Sequence, residues 1–132
     1  MTKRNWIIPI LIVAINALAV LLRWNSMHEV IPAHFDLEGN ADGSMQRSML
    51  FVYPLIGAAI CLLAYVIARL KQKLQMPLVI LASGVSLILF LSTLVALTAG
   101  KVPAFMLAEP VVLLATVAAV VVCLVKSRKN TR

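Results

Sequence analysis

The chain has 132 residues, 62% of them hydrophobic and 13% charged, with a mean hydropathy of +0.99. That balance excludes a soluble domain, because too little polar surface exists to cover one, and it fits a single membrane domain over residues 1–132. The net charge of +7 would suit nucleic acid in a soluble protein; here the basic residues sit at the ends of apolar runs, so the lipid bilayer is the expected partner and nucleic acid is excluded.

Four apolar runs predict an all-α bundle of four transmembrane helices: Trp6–Leu22, Met49–Leu70, Pro77–Ala99 and roughly Phe105–Val125. Each approaches the ~20 residues needed to cross ~30 Å of hydrocarbon, where a backbone must satisfy its own hydrogen bonds. The first run is short; Arg23 extends it by snorkelling and Trp24 by sitting at the interface. MTKR followed by Ala17-Leu18-Ala19 has the outline of a signal peptide. Asn16 interrupts the apolar core and the run continues to Leu22, so the segment is expected to stay as a helix. Residues 6–70 then form one module with a loop at 23–48, and residues 76–125 a second transmembrane hairpin.

Lys and Arg set the orientation. Nine lie on one side (Lys3, Arg4, Arg69, Lys71, Lys73, Lys126, Arg128, Lys129 and Arg132) and three on the other (Arg23, Arg47 and Lys101). The positive-inside bias therefore predicts both termini in the cytoplasm and the 23–48 loop outside.

Inside the spans, Asn16 is the most polar side chain, and a hydrogen bond between helices is its expected role. Ser83, Ser86, Ser92, Thr93, Thr98 and Thr116 are expected to bond carbonyls of their own helices. Ala64 with Ala68, and Ala115 with Ala119, have the spacing that lets helices approach closely. Cys61 and Cys123 lie in apolar runs and are read as small buried hydrophobes. Glu109 sits at the edge of the fourth run, so no mid-membrane acid is available to carry a proton, which disfavours a small proton-coupled exporter.

The chemistry is concentrated in residues 28–47, HEVIPAHFDLEGNADGSMQR, which hold four of the five acids and both histidines. Ser26 and Glu29 have capping-box spacing, predicting a short helix from Asn25 or Ser26. Pro32 marks a boundary, and residues 33–37 alternate as an extended or interfacial stretch, with Ile31, Phe35 and Leu37 dipping onto the bundle or into the headgroups. Gly39-Asn40 and Asp42-Gly43 are turn signals, so Gly39 and Gly43 are expected in conformations other residues adopt with difficulty. The loop is thus expected to be ordered. Metal binding is not expected. An EF-hand beginning at Glu38 places Met49 where the bidentate Glu belongs, and His28 and His34 lack the spacing of a compact zinc pair. No nucleophile stands beside a base and an orienting group, so no enzyme activity and no cofactor are expected.

Ile31-Pro32-Ala33-His34-Phe35-Asp36, then Gly39, Asp42-Gly43 and a basic residue at 47, resembles the N-terminal module of the SdpI family over residues 6–70. That family reads approximately Ile-Pro-x-His-Phe-Asn, Gly, Asp-Gly, Lys between its first two membrane helices, and Pro54 matches a proline usual in the second. This sequence departs in having Asp36 for Asn, Arg47 for Lys, His28 where proline is common, and four helices where the immunity protein has more. The resemblance implies a bacterial inner-membrane protein giving immunity to, or sensing, a secreted antimicrobial peptide. A second membrane or regulatory protein is the further partner it implies. His34, Phe35, Asp36, Asp42 and Arg47 are the expected contact residues, and Pro32, Gly39 and Gly43 the expected loop-shaping ones. The rival readings are a transporter or enzyme subunit that uses His34 and the loop acids on a small or lipid-linked substrate, and a structural partner in a larger membrane complex. Neighbouring genes separate immunity from the first of these rivals: a peptide precursor favours immunity, transporter or cell-wall genes the rival.

Overall fold

The computed structural model describes residues 3–35, 38, 40–98 and 103–130. Helix α1 covers Ile7–Arg23, α2 Val52–Leu70, α3 Gln75–Leu97 and α4 Pro103–Asn130. Two strands, β1 (Val30–Phe35) and β2 (Ala41–Gln46), lie between α1 and α2. The spans Ile7–Ser26, Arg47–Leu70, Gln72–Leu97 and Ala104–Lys126 are long and apolar enough to cross a membrane, with mean hydropathies of 2.3 to 2.5. The chain is accordingly a multi-pass membrane protein in contact with the bilayer. Leu22, Leu55, Leu70 and Leu114 point outward and exposed, as suits helices whose solvent is lipid.

Prolines start three of these helices. Pro9, Pro54 and Pro77 each occupy the third residue of their helix, where the missing N–H is one that has no intrahelical partner anyway. Pro110 differs: it lies inside α4 and deprives the Met106 carbonyl of its usual donor.

Helix α3 is the centre of the bundle, packing against α1, α2 and α4, whereas α4 packs mainly on α3. Two apolar clusters form. One joins Val20, Ile31, Leu50 and Ala96, with Trp24, Met27, Met45, Phe51 and Tyr53 against it, and marks the hairpin end of the bundle. The other joins Trp6, Cys61, Ala64, Ala68, Val79 and Ala82 at the opposite end. Ala64 and Ala68 thus fill the close-packed face expected of them. Ala115 does not: it is exposed, and the closest α3–α4 approach is Gly84 against Thr116.

The all-α expectation is corrected by the strands, which pair antiparallel with Ile31 opposite Met45, Ala33 opposite Gly43 and Phe35 opposite Ala41. Extended backbone was expected only from residue 33. Pairing begins at Val30 because Ile31 and Met45 fall in the row that packs on the bundle. A helix starting at Ser26 is also corrected. Residues Trp24–Ser26 are a 3-10 turn that prolongs α1, and the Ser26 hydroxyl donates to the Arg23 carbonyl at 2.9 Å. Ser26 closes a helix instead of opening one, because the last carbonyls of α1 lack intrahelical donors.

The polar side chains inside the bundle divide into two groups. Thr93, Thr98 and Thr116 donate to carbonyls of their own helices, Leu89, Leu94 and Val112, as expected. Ser86 instead meets Cys61 of α2 (Oγ to Sγ, 3.5 Å), and Ser92 donates to Glu109 of α4 at 2.9 Å. Asn16 is 1% exposed, yet its Oδ1 has no hydrogen-bond partner, so the expected helix-to-helix bond is not made.

Candidate functional site

Arg47 ties the hairpin to both helices that flank it. Its backbone N–H donates to the Glu29 carbonyl at 2.8 Å, extending the ladder one residue past Gln46. Its Nη1 donates to the carbonyls of Trp24 (2.8 Å) and Met27 (3.2 Å). The guanidinium carbon also lies 4.3 Å from the centroid of the Trp24 ring, a cation–π distance. Trp24 is backed by Phe51 at 5.3 Å between ring centroids. The end of α1 leaves carbonyls without donors, and an arginine with five N–H groups at the entry to α2 supplies them.

Beside this clamp lies a cleft of about 300 Å³ lined by Trp24, Glu29, Val30, Gln46, Arg47 and Ser48. Glu29, Val30, Gln46 and Ser48 are exposed, so the cleft offers a carboxylate, an amide, a hydroxyl and an apolar contact within one concavity. Such a set suits recognition of a basic or polar side chain. Two larger cavities, about 440 Å³ between α1 and α2 and about 610 Å³ along α1, α3 and α4, have mainly apolar linings within the spans.

The expected contact residues divide unevenly around this corner. Arg47 lines the cleft, but its Nη1 is already committed to the chain's own carbonyls, so it holds the site's shape. Pro32, His34 and Phe35 lie in β1 and Asp42 in β2. The strand register carries Pro32 against Ser44 and places position 34 across from position 42. Asp36, Leu37 and Gly39 lie outside the described residues. Gly43 is corrected: it sits within β2 opposite Ala33, not in a turn. The connection between the strands runs through residues 36–40, so Asp42-Gly43 comes one residue too late to form it. Trp24, Glu29, Gln46 and Ser48 were not foreseen as site residues. The available signal was an aromatic residue at the end of the first span and an arginine at the start of the second, both facing the same polar segment.

Residues 11–58 match the family model described as Domain of unknown function (DUF1648). The matched stretch runs from α1 through both strands into the first turns of α2, so it contains the whole cleft lining and stops short of α3 and α4. No curated protein and no solved structure gives a significant match to the chain.

Proposed function

We propose that this chain is a bacterial cytoplasmic-membrane protein of the SdpI type. Both termini lie in the cytoplasm, and the hairpin end faces outward to recognise a secreted cationic antimicrobial peptide, giving immunity to it or sensing it. The cleft beside Arg47 carries the reading: it is a built concavity with an exposed carboxylate, Glu29, in the segment that concentrates the chain's acids. The SdpI-like motif falls in the same segment, and the family-model match covers it.

The mechanism is recognition without bond-making. The acids of residues 28–47 attract a cationic peptide over a screening distance of ~8–10 Å. Glu29 receives a basic side chain while exposed Val30 and Met49 offer apolar contact to the peptide's other face. Binding there keeps the peptide from inserting into the bilayer or reports its arrival to a partner protein.

The test is survival of cells expressing the chain under challenge by a panel of cationic amphipathic peptides, with membrane abundance checked by blot. Protection against at least one peptide, reduced by Glu29→Gln at equal abundance, is expected. Equal killing with and without the protein across the panel overturns the immunity role. Protection unchanged by Glu29→Gln removes the cleft from the mechanism.

A further inference from the structure

Glu109 is the one acid inside a candidate span, and it is half-buried with its Oε1 accepting the Ser92 hydroxyl at 2.9 Å. It stands six residues into α4, ~9 Å from that helix's start at 1.5 Å per residue, and Ser92 stands at a similar depth from the end of α3. Tyr53, one residue into α2, is close enough to feel the Glu109 charge. Three helices thus bring a carboxylate, an aliphatic hydroxyl and a phenol to one level near the hairpin end. Among the described residues no Lys, Arg or His forms an ion pair with Glu109, and Arg47 is engaged elsewhere. A carboxylate at this depth is expensive to keep ionised, and such residues mark binding or transport sites.

We propose that Glu109, Ser92 and Tyr53 form a site for a primary ammonium group, entered from the flank of the bundle where Glu109 is partly exposed. An ammonium has three N–H donors, and the site offers three oxygen acceptors: the second carboxylate oxygen, the Ser92 hydroxyl oxygen and the Tyr53 hydroxyl oxygen. A guanidinium fits less well, because its fork takes both oxygens of a carboxylate and Ser92 already holds one. Calcium fits poorly too, needing six to eight oxygens. The site lies within the bundle, apart from the Arg47 cleft, and does not depend on peptide recognition there.

The ammonium could belong to a free amine or a basic peptide, or to the headgroup of phosphatidylethanolamine, and the experiment separates these sources. Full-length protein in phosphatidylcholine nanodiscs is titrated calorimetrically with octylammonium, octylguanidinium and octanol. Saturable binding of octylammonium is expected, weaker by about tenfold or more in Glu109→Gln, since a hydrogen bond to a charged group is lost. Octanol is expected to bind both proteins equally, and octylguanidinium less tightly than octylammonium. Discs containing phosphatidylethanolamine are expected to suppress octylammonium binding if the headgroup is the natural occupant, and to leave it unchanged if a free amine is. Identical octylammonium isotherms for wild type and Glu109→Gln overturn the proposal, as does an equal change for octanol. If Glu109→Gln fails to give a monodisperse protein, Ser92→Ala serves instead: weaker amine binding supports the site and an unchanged isotherm overturns it.

Discussion

Thr116 occupies the space a side chain at Gly84 would need: a Cβ at position 84 would lie 2.7 Å from the Thr116 Cβ and closer still to its hydroxyl and methyl. Thr116 cannot swing away freely, because its hydroxyl donates to the Val112 carbonyl at 2.7 Å. Since α4 packs mainly on α3, this pair sets how closely the fourth helix can dock. Gly84→Ala is expected to destabilise the protein by about 1–3 kcal/mol, the range for overpacking. Thermal unfolding in detergent should show a lowered Tm for Gly84→Ala and substantial recovery in the Gly84→Ala, Thr116→Ala double variant. A double variant no better than the single one would assign the loss to backbone effects at 84.

Arg47 gives a prediction that turns on shape more than on charge. Lysine keeps the charge, but it cannot lay a planar guanidinium over Trp24 while bonding two carbonyls. Arg47→Lys is expected to lose about 1–3 kcal/mol and to shift the fluorescence of Trp24, the lone Trp near the hairpin. An unchanged Tm and spectrum would show that the clamp contributes nothing beyond its charge.

Asn16 points the other way. Its buried, unpartnered Oδ1 is a penalty that a leucine of similar size would remove, so Asn16→Leu is expected to leave Tm unchanged or raise it. A marked fall in Tm would mean the amide has a partner of its own, such as an ordered water.

Orientation and His34 can be tested in cells. Reporter fusions after Lys73 and Arg132 should report cytoplasm and a fusion at Gly39 the exterior; a cytoplasmic Gly39 reporter would overturn the charge argument. His34→Gln is expected to keep most of the protection in the peptide-challenge assay, because a cross-strand pair between positions 34 and 42 contributes about 0.2–1 kcal/mol. Loss as complete as in His34→Ala at normal abundance would give the imidazole a chemical role.

The helices were legible because lipid imposes one rule on every span. α1 and α3 lie within two residues of the apolar runs. α4 runs on to Asn130, past the run's end at Val125, because hydropathy marks where lipid stops and not where helical hydrogen bonding stops. The strands were half legible. Ile31 read correctly as an apolar residue returning to the bundle, but Asp42-Gly43 carries turn composition and sits in a strand whose pairing with β1 overrides local preference. The Arg47–Trp24 clamp joins residues 23 apart in sequence, and no local pattern encodes that meeting. The Ser92–Glu109 bond was missed for a related reason. A serine in a span defaults to its own helix, and only the antiparallel meeting of α3 and α4 shows it a better acceptor.

The division of the interior into two apolar clusters has a kinetic meaning. Ile31 and Met45 belong wholly to the group around Val20 and Leu50, and neither touches the group around Trp6 and Ala82. The hairpin, the end of α1 and the start of α2 therefore make up one cooperative unit, and the far halves of α1, α2 and α3 another. Amides of β1 and β2 should exchange with solvent through an opening that leaves those of Ala64, Ala68 and Ala82 protected. A ligand at the Arg47 corner then has only the smaller unit to rearrange, while the larger one keeps the protein seated in the bilayer.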